Sequence, residues 1–253
     1  MALADRIAAL RGGLRISNKG NNQDFWGITW GRPTAFLVLV ALADLRFVTP
    51  NLLTHISNAL FIAGSLLILP ELGSHWILAA VLLNLSLSFD CADGQLARYR
   101  KAGSELGSYY DKVSDALSLV LLFTVLGWVV TEQTGELKYM LFAILAFSGQ
   151  LVSGYAKWVC MTALHRRGHA PAVEDDPEIP LWQYPPRVAL KVFRFAEPDL
   201  LFWVGLGLVF DKLDWVLWLA VLTQPPVAIA AVVYRTMQVA RSDRRFREEQ
   251  AGS

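Results

Sequence analysis

Cysteine and charge are both scarce in this sequence of 253 residues. Its cysteines, Cys91 and Cys160, lie within apolar stretches, so the chain lacks the disulfide framework of a small secreted protein. Charged residues make up 18% of the chain, below the share of about a quarter found in soluble domains. The formal net charge of +1 excludes a globally basic nucleic-acid binder, so no nucleic-acid partner is expected.

Hydrophobic residues, by contrast, account for 54% of the sequence. Apolar segments long enough to cross, or nearly cross, a hydrocarbon core of about 30 Å cover residues 52–70, 74–98, 107–131, 139–164, 199–211 and 214–236. The fifth segment is short, and a helix over residues 187–196 is predicted to lead into it, with Pro198 kinking or breaking the join. The sequence therefore predicts an all-α integral-membrane bundle of six transmembrane helices.

The lysines and arginines are divided unequally between the two ends of this predicted bundle. With six spans, 19 of the 23 lie on the side shared by both termini, and only Lys138 and Lys212 lie on the opposite side. The positive-inside rule therefore places both termini in the cytoplasm. A seventh span over residues 34–48 would break this pattern, and that segment carries Asp44 and Arg46. It is predicted to lie along the interface or to be partly embedded.

Several segments are predicted to lie outside the bilayer core. The first 15 residues are arginine-rich and lack the apolar core of a secretory signal, which predicts an amphipathic surface helix. Residues 165–187 form a Pro-rich acidic loop. We expect an N-terminal cytoplasmic or interfacial segment (1–50), a six-span catalytic membrane domain (51–237) and a charged cytoplasmic tail (238–253), which is expected to be solvated or disordered.

Four aspartates border two of the predicted helices. Residues three or four apart share a helix face, so one helix presents Asp90 and Asp93 together, and the next presents Asp111 and Asp115. Because only about eight residues join the two helices, we expect them to be antiparallel neighbours. All four carboxyl groups would then converge near the cytoplasmic end of the bundle.

Crowded carboxylates in a membrane need cations, because each costs several kcal/mol and the charges repel one another. Oxygen ligands suit a hard divalent metal such as Mg²⁺ or Mn²⁺, and four carboxylates are enough for one ion or a closely spaced pair. The sequence has no histidine or cysteine constellation that would indicate zinc. We therefore expect Mg²⁺ or Mn²⁺ as the cofactor, with two ions in the site.

Small residues and an arginine accompany the acids. Gly94 and Ala97 would let another helix or a flat nucleotide approach the backbone, and Arg98 supplies a fixed charge suited to phosphate oxygens. Each also has a structural interpretation: Gly94 and Ala97 as helix-packing residues, and Arg98 as an anchor at the interface. Their combination with four acids favours a functional site, because intramembrane acids usually mark one.

These residues resemble a known family. The pattern D-x-x-D-G-x-x-A-R, eight residues, G-x-x-x-D-x-x-x-D is the hallmark of the CDP-alcohol phosphotransferases, and every fixed position is matched from Asp90 to Asp115. Residues 50–54, with the sequence PNLLT, resemble the P-N-x-x-T opening of that family's first span. The resemblance also covers the six-span arrangement with both termini cytoplasmic.

The resemblance implies a role for each matched residue. Asp90, Asp93 and Asp111 would bind the metal ions. Asp115 would complete the metal cluster and act as the general base. The residues implied in CDP binding are Gly94, Ala97, Arg98, Gly107, Asn51 and Thr54. For the last two, a Pro-Asn turn with the threonine capping the first span is the alternative interpretation.

The implied reaction is metal-dependent transfer of a phosphoalcohol unit from a CDP-linked donor to an alcohol acceptor, with release of CMP, at the cytoplasmic face of a membrane. The first expectation is transfer of a phosphatidyl group from CDP-diacylglycerol to a small polar alcohol in phospholipid biosynthesis. The alternative is transfer of a phospho-headgroup from a CDP-linked polar alcohol to a lipid or another alcohol. A divalent-cation transporter is an alternative of another class, since it could also use intramembrane acids.

Further residues are candidates for substrates or for a partner chain. Arg187, Lys191 and Arg194 could bind a phosphorylated acceptor, although positive-inside anchoring also explains them. Trp26 and Trp30 could cradle a quaternary ammonium group or anchor the chain at the interface. The resemblance implies a homodimer, and four glycines offer close-packing positions: Gly64, Gly127, Gly149 and Gly154.

Overall fold

The computed structural model of the chain describes residue 7 and residues 24–72, 75–166 and 197–251. All regular elements in these ranges are helical, which confirms the predicted all-α class. The α-helices are α1 (Arg32–Leu42), α2 (Pro50–Leu66), α3 (Trp76–Tyr99), α4 (Glu105–Thr134), α5 (Lys138–Arg166), α6 (Glu197–Val209) and α7 (Leu213–Ala251). A π-helical turn, Gly27–Gly31, leads into α1. Three predicted segments lie outside the described residues: the amphipathic helix over residues 1–15 (apart from residue 7), the acidic loop after residue 166 and the helix over residues 187–196.

A helix occurs at each of the six predicted spans. Within the described ranges, four of these helices, α3, α4, α5 and α7, are long and apolar enough to cross a membrane by length and composition. The other two are shorter, with 17 residues in α2 and 13 in α6. At 1.5 Å per residue they extend about 26 and 20 Å, less than a typical hydrocarbon core. The count of six spans and the side of the termini therefore stay predictions.

Two helix ends differ from those predicted. The helix expected to lie within residues 34–48 ends at Leu42, and its first turns precede residue 34. Helix α7 continues to Ala251, so residues 238–251 are helical, although a solvated or disordered tail was expected. Arginine, glutamine and glutamate, which are abundant in this segment, are good helix formers, and charge alone does not end a helix.

Helix α3 lies at the centre of the bundle. It packs against α1, α2 and α6, while α2 contacts both α3 and α4, and α5 packs along α7 and α4. Helices α3 and α4 make little direct backbone contact, although they follow one another in the chain. The predicted convergence of their acidic faces is confirmed for three of the four acids, although the two backbones are not packed closely along their length. The acidic faces border a cavity, and α2 contacts both helices.

The chain before α1 is fastened to the bundle by two tryptophans. Their rings stack with centroids 5.8 Å apart and an interplanar angle of 4°. The indole N–H of Trp26 donates to Asn84 Oδ1 at 2.7 Å, and that of Trp30 donates to the Asn84 carbonyl at 3.0 Å. The Trp26 backbone N–H donates to Asp199 Oδ1 at 2.7 Å. The stacked rings leave no room between them for an ammonium group, and their role here is to dock this segment on α3 and α6.

Three of the four glycines singled out in the sequence pack against helices of the same chain. A β-carbon at Gly64 would lie 3.1 Å from the Leu83 nitrogen, and one at Gly127 would lie 2.8 Å from the Ala143 β-carbon. At Gly149 it would lie 2.8 Å from the Gln224 carbonyl carbon. A β-carbon at Gly154 would meet nothing within 4 Å.

Candidate active site

Three of the predicted acids come together where α3 and α4 approach their common loop. One carboxylate oxygen each from Asp90, Asp93 and Asp111 lies within 4.8 Å of the other two. Two of these side chains come from α3 and the third from α4; Asp93 is buried, and Asp90 and Asp111 are partly buried. Three converging carboxylates form an all-oxygen donor set, which fits a hard divalent cation such as Mg²⁺ or Mn²⁺.

The fourth acid, Asp115, lies outside this group of three. It is one helical turn further along α4, about 6 Å from the level of Asp111. The Lys112 ammonium lies 2.5 Å from Asp111 Oδ2 and 3.4 Å from Asp115 Oδ2, so it joins the two acids of α4. Asp115 also borders a small cavity of about 60 Å³ together with Asp90 and Glu197.

The threonine of the P-N-x-x-T segment orients one of the carboxylates. The Thr54 hydroxyl donates a hydrogen bond to Asp93 Oδ2, and both side chains are buried. The cap of α2 is a different residue: the Thr49 hydroxyl accepts the Leu52 N–H at 3.1 Å, with Pro50 in the first turn. The alternative interpretation of Thr54 as a helix cap therefore does not hold.

A cavity of about 570 Å³ extends from Asp93 and Asp111 to the loop between α3 and α4. All six residues predicted to bind CDP line it: Asn51, Thr54, Gly94, Ala97, Arg98 and Gly107. The loop contributes residues 101–104, and α4 also contributes Ser108. The structure thus brings the acids and the predicted nucleotide-binding residues to one cavity.

The N-terminal end of α4 borders this cavity. Ser104 caps the helix, its hydroxyl accepting the Gly107 N–H at 3.0 Å. A β-carbon at Gly107 would lie 3.1 Å from Ser104 Oγ and 3.8 Å from Asn51 Oδ1, so glycine keeps this end of the cavity open. A helix N-terminus favours anionic ligands, and Arg98 lines the same cavity.

A second, mostly apolar groove of about 640 Å³ runs between α4 and α5. Its polar end is lined by Lys112 and Asp115, and Ser108 borders both this groove and the first cavity. The rest of its lining is mostly apolar and includes Leu117, Leu119, Phe147, Leu151 and Trp158. The acids therefore lie between a polar cavity and an apolar groove.

Three site residues were not foreseen from the sequence. Lys112 bridges two acids, and its position inside the motif is a signal that could have pointed to it. Lys101 lines the larger cavity, and Glu197 borders the small one. Glu197 carried no signal, because it lies 82 residues beyond Asp115 in the sequence. The predicted acceptor residues Arg187, Lys191 and Arg194 lie outside the described residues.

Comparisons with known proteins agree with this geometry. The family described as CDP-alcohol phosphatidyltransferase matches residues 47–180, more than half of the chain. The phosphatidylinositol phosphate synthase of Corynebacterium glutamicum is 36% identical over 101 residues, which are 39% of this chain and 45% of that protein. The match thus spans less than half the length of this curated relative.

A solved structure shares the fold. It is the crystal structure of Mycobacterium tuberculosis phosphatidylinositol phosphate synthase with CDP-DAG bound, which has a TM-score of 0.53 and 20% sequence identity. The match covers 83% of this chain and 92% of that chain. The motif, the cavity and the family match together lead to one conclusion: the chain belongs to the CDP-alcohol phosphatidyltransferase family.

Proposed function

We propose that this protein is a divalent-metal-dependent phosphatidyltransferase that moves a phosphatidyl group from CDP-diacylglycerol to a small polar alcohol and releases CMP. The observation that carries the proposal is the single cavity that joins the three-carboxylate group to the six predicted nucleotide-binding residues. Family membership favours this reaction over the divalent-cation transporter.

The metal would be held by Asp90, Asp93 and Asp111, whose oxygens suit Mg²⁺ or Mn²⁺. A second ion would need Asp115 as a further ligand. When bound, the metal neutralises the donor diphosphate and makes its phosphorus more electrophilic. Thr54 holds the Asp93 carboxylate in one orientation, which lowers the conformational cost of assembling the site.

The nucleotide would occupy the larger cavity. Arg98 and the amides of the first turn of α4 provide positive charge for the diphosphate oxygens. Gly94 and Ala97 allow the donor to lie close to the α3 backbone. Asn51, beside Gly107, adds an amide that can bond to ribose or base.

Asp115 would act as the general base. Its carboxylate takes the proton of the acceptor hydroxyl as that oxygen attacks the phosphorus of the phosphatidyl group. The bond from this phosphorus to the bridging oxygen breaks, and CMP leaves with that oxygen. The Lys112 ammonium, 3.4 Å from Asp115 Oδ2, fixes the position of the carboxylate.

The apolar groove supports a lipid donor. It leads from Asp115 along α4 and α5, where acyl chains can lie against leucine and aromatic side chains. The solved fold neighbour has CDP-DAG bound, and the curated relative is a phosphatidylinositol phosphate synthase, which favours a phosphorylated polyol as acceptor. A CDP-linked headgroup with a lipid acceptor is the alternative.

We also propose that the active site lies at the cytoplasmic face and that the protein is a homodimer, as the family resemblance implies.

The test is CMP release by purified protein in lipid, with and without Mg²⁺ or Mn²⁺. The donors are CDP-diacylglycerol and a panel of CDP-headgroups, and the acceptors are free and phosphorylated polyols and diacylglycerol. Wild type should release CMP from CDP-diacylglycerol only with metal, and Asp111→Asn should be inactive. Asp214→Asn, the same change in the first turn of α7, is the matched control and should remain active. Metal-independent release, or release by Asp111→Asn at the wild-type rate, would refute the proposal.

A further inference from the structure

Lys101 has a backbone conformation that usually selects glycine. It lies just past α3 with φ 52°, in the left-handed region, and among the described residues only one other non-glycine residue, Asp211, shares this feature. The Ala102 N–H donates to the Ala97 carbonyl at 2.8 Å and the Lys101 N–H to the Arg98 carbonyl at 3.2 Å. This is the Schellman arrangement, in which the left-handed position is normally glycine because a β-carbon is unfavourable there.

Arg100 holds this turn in place. Its guanidinium donates to the carbonyls of Val48 at 2.5 Å, Ala43 at 2.7 Å and Leu45 at 2.9 Å. These bonds tie the end of α3 to the segment between α1 and α2. The position of Lys101 is therefore set by contacts on both sides of the turn.

The turn places Lys101 at the loop end of the larger cavity. Lys101 follows the C-terminus of α3, whereas Asp93 lies within the helix, so the cavity has an acidic part and a cationic end at the loop. The Lys101 side chain is exposed and forms no ion pair with any residue that the structure describes. A side chain kept where glycine would fit better, at the edge of a ligand cavity, points to a function.

We propose that Lys101 binds the nucleoside half of the CDP-linked donor. This inference rests on the proposed function, which places the diphosphate at the carboxylates. From there the lipid extends towards the apolar groove, and the polar nucleoside extends away from the bilayer, towards the loop. The ammonium of Lys101 is a hydrogen-bond donor without acceptor capacity, so it bonds to ribose hydroxyl oxygens or to the carbonyl oxygen of the base.

The variant Lys101→Gly separates this role from a structural one. Glycine suits the left-handed turn better than lysine, so the variant should unfold at the wild-type temperature or above it. Asp211→Gly is the matched control. Asp211 occupies the same position after α6, where the Lys212 N–H donates to the Gly207 carbonyl at 2.8 Å, and it does not line the cavity.

The experiment measures CMP and CDP binding to the purified full-length chain by calorimetry with Mg²⁺ present, together with thermal unfolding. Lys101→Gly should bind CMP about tenfold more weakly, the loss expected for one charged hydrogen bond, at low and at high salt. Lys101→Arg, which keeps the cation, should recover most of the affinity, and Asp211→Gly should bind as wild type.

Equal CMP affinity in Lys101→Gly and wild type would overturn the inference. A loss of CMP affinity that disappears at high salt would also overturn the inference, because such a loss would indicate long-range electrostatic attraction without a direct contact. If wild type binds neither CMP nor CDP, the proposed function itself fails, and this outcome is distinct from the other two.

Discussion

Thr54 and Asp93 form a buried hydrogen bond between α2 and α3, and this bond gives a prediction at the residue scale. Thr54→Val removes the hydroxyl but keeps the shape, so Asp93 loses a donor and its fixed orientation. We expect about 10–100-fold lower metal-dependent activity and a higher metal requirement, as for other residues that orient metal ligands. The measurement is the rate of CMP release across a Mg²⁺ titration.

Thr54→Ser keeps the hydroxyl and serves as the control. It should retain most of the activity and the wild-type metal requirement. If Thr54→Val titrates with Mg²⁺ as wild type does, the hydrogen bond has no role in arranging the site.

At this scale, the sequence predicts the residues of the site better than their arrangement. Helical periodicity predicts that Asp90 and Asp93 share one face of α3, and the short loop predicts that Asp111 of α4 lies near them. The displacement of Asp115 from this group depends on how α4 packs in the bundle, whereas Lys112 bridges two acids of its own helix, which is a local contact. Arg100 bonds to carbonyls more than 50 residues away, and no local pattern indicates such contacts.

At the scale of elements, the contact between α5 and α7 depends on one glycine. A β-carbon at Gly149 would lie 2.8 Å from the Gln224 carbonyl carbon and 3.0 Å from the Pro225 nitrogen. These are backbone atoms inside α7 and cannot move aside as a flexible side chain can. Gly149→Ala should therefore lower the free energy of unfolding by about 1–3 kcal/mol, as overpacking does elsewhere. Thermal unfolding in detergent measures this.

Gly154→Ala provides the control on the same helix. A β-carbon there meets nothing within 4 Å, so the higher helix propensity of alanine should leave stability unchanged or slightly raised. Equal unfolding temperatures for the two variants would contradict the packing argument.

A second element-scale prediction concerns the docking of the chain before α1. Asp199 is fully buried, and its Oδ1 accepts the Trp26 N–H at 2.7 Å, so a residue of α6 caps the start of another helical segment. Asp199→Ala removes this acceptor and should cost about 0.5–2 kcal/mol, as the loss of a helix cap does. Limited chymotrypsin cleavage after Phe25 or Trp26 should become faster. Asp199→Asn keeps an acceptor oxygen and should protect this segment better than alanine; equal cleavage of all three proteins would contradict the docking role.

The sequence predicts the existence of the helices more reliably than their neighbours. Hydrophobic runs predict each helix. Pro225 and Pro226 lie inside α7 and do not end it, because the packing of α7 against α5 continues past them. The backbones of α3 and α4 stand apart even though a short loop joins the two helices. A short loop limits the distance between two helix ends, but it does not require the helices to touch along their length.

At the scale of the whole molecule, the structure indicates which helix ends lie at the same end of the bundle. The Arg100 bond to the Val48 carbonyl places the start of α2 beside the end of α3. With six spans, residues near Phe47 and Gly103 should therefore lie on the cytoplasmic side, and Glu136 should lie on the other. Phe47 is 72% exposed, and a β-carbon at Gly103 meets nothing within 4 Å, so cysteines fit at these positions.

The test uses single cysteines at these three positions in a chain whose Cys91 and Cys160 are replaced. A membrane-impermeant thiol reagent should label Phe47→Cys and Gly103→Cys in inverted vesicles only, and Glu136→Cys in right-side-out vesicles only. Labelling of Phe47→Cys from the same side as Glu136→Cys would show that α2 does not span the membrane.

The acids border two openings: the polar cavity at the loop reaches Asp93 and Asp111, and the apolar groove between α4 and α5 reaches Asp115. In the proposed reaction, CMP would return to the water by the first opening, while the new lipid would diffuse sideways into the bilayer by the second. The two products would then leave by separate routes. A bulky acyl chain would therefore slow the departure of the lipid without trapping the nucleotide.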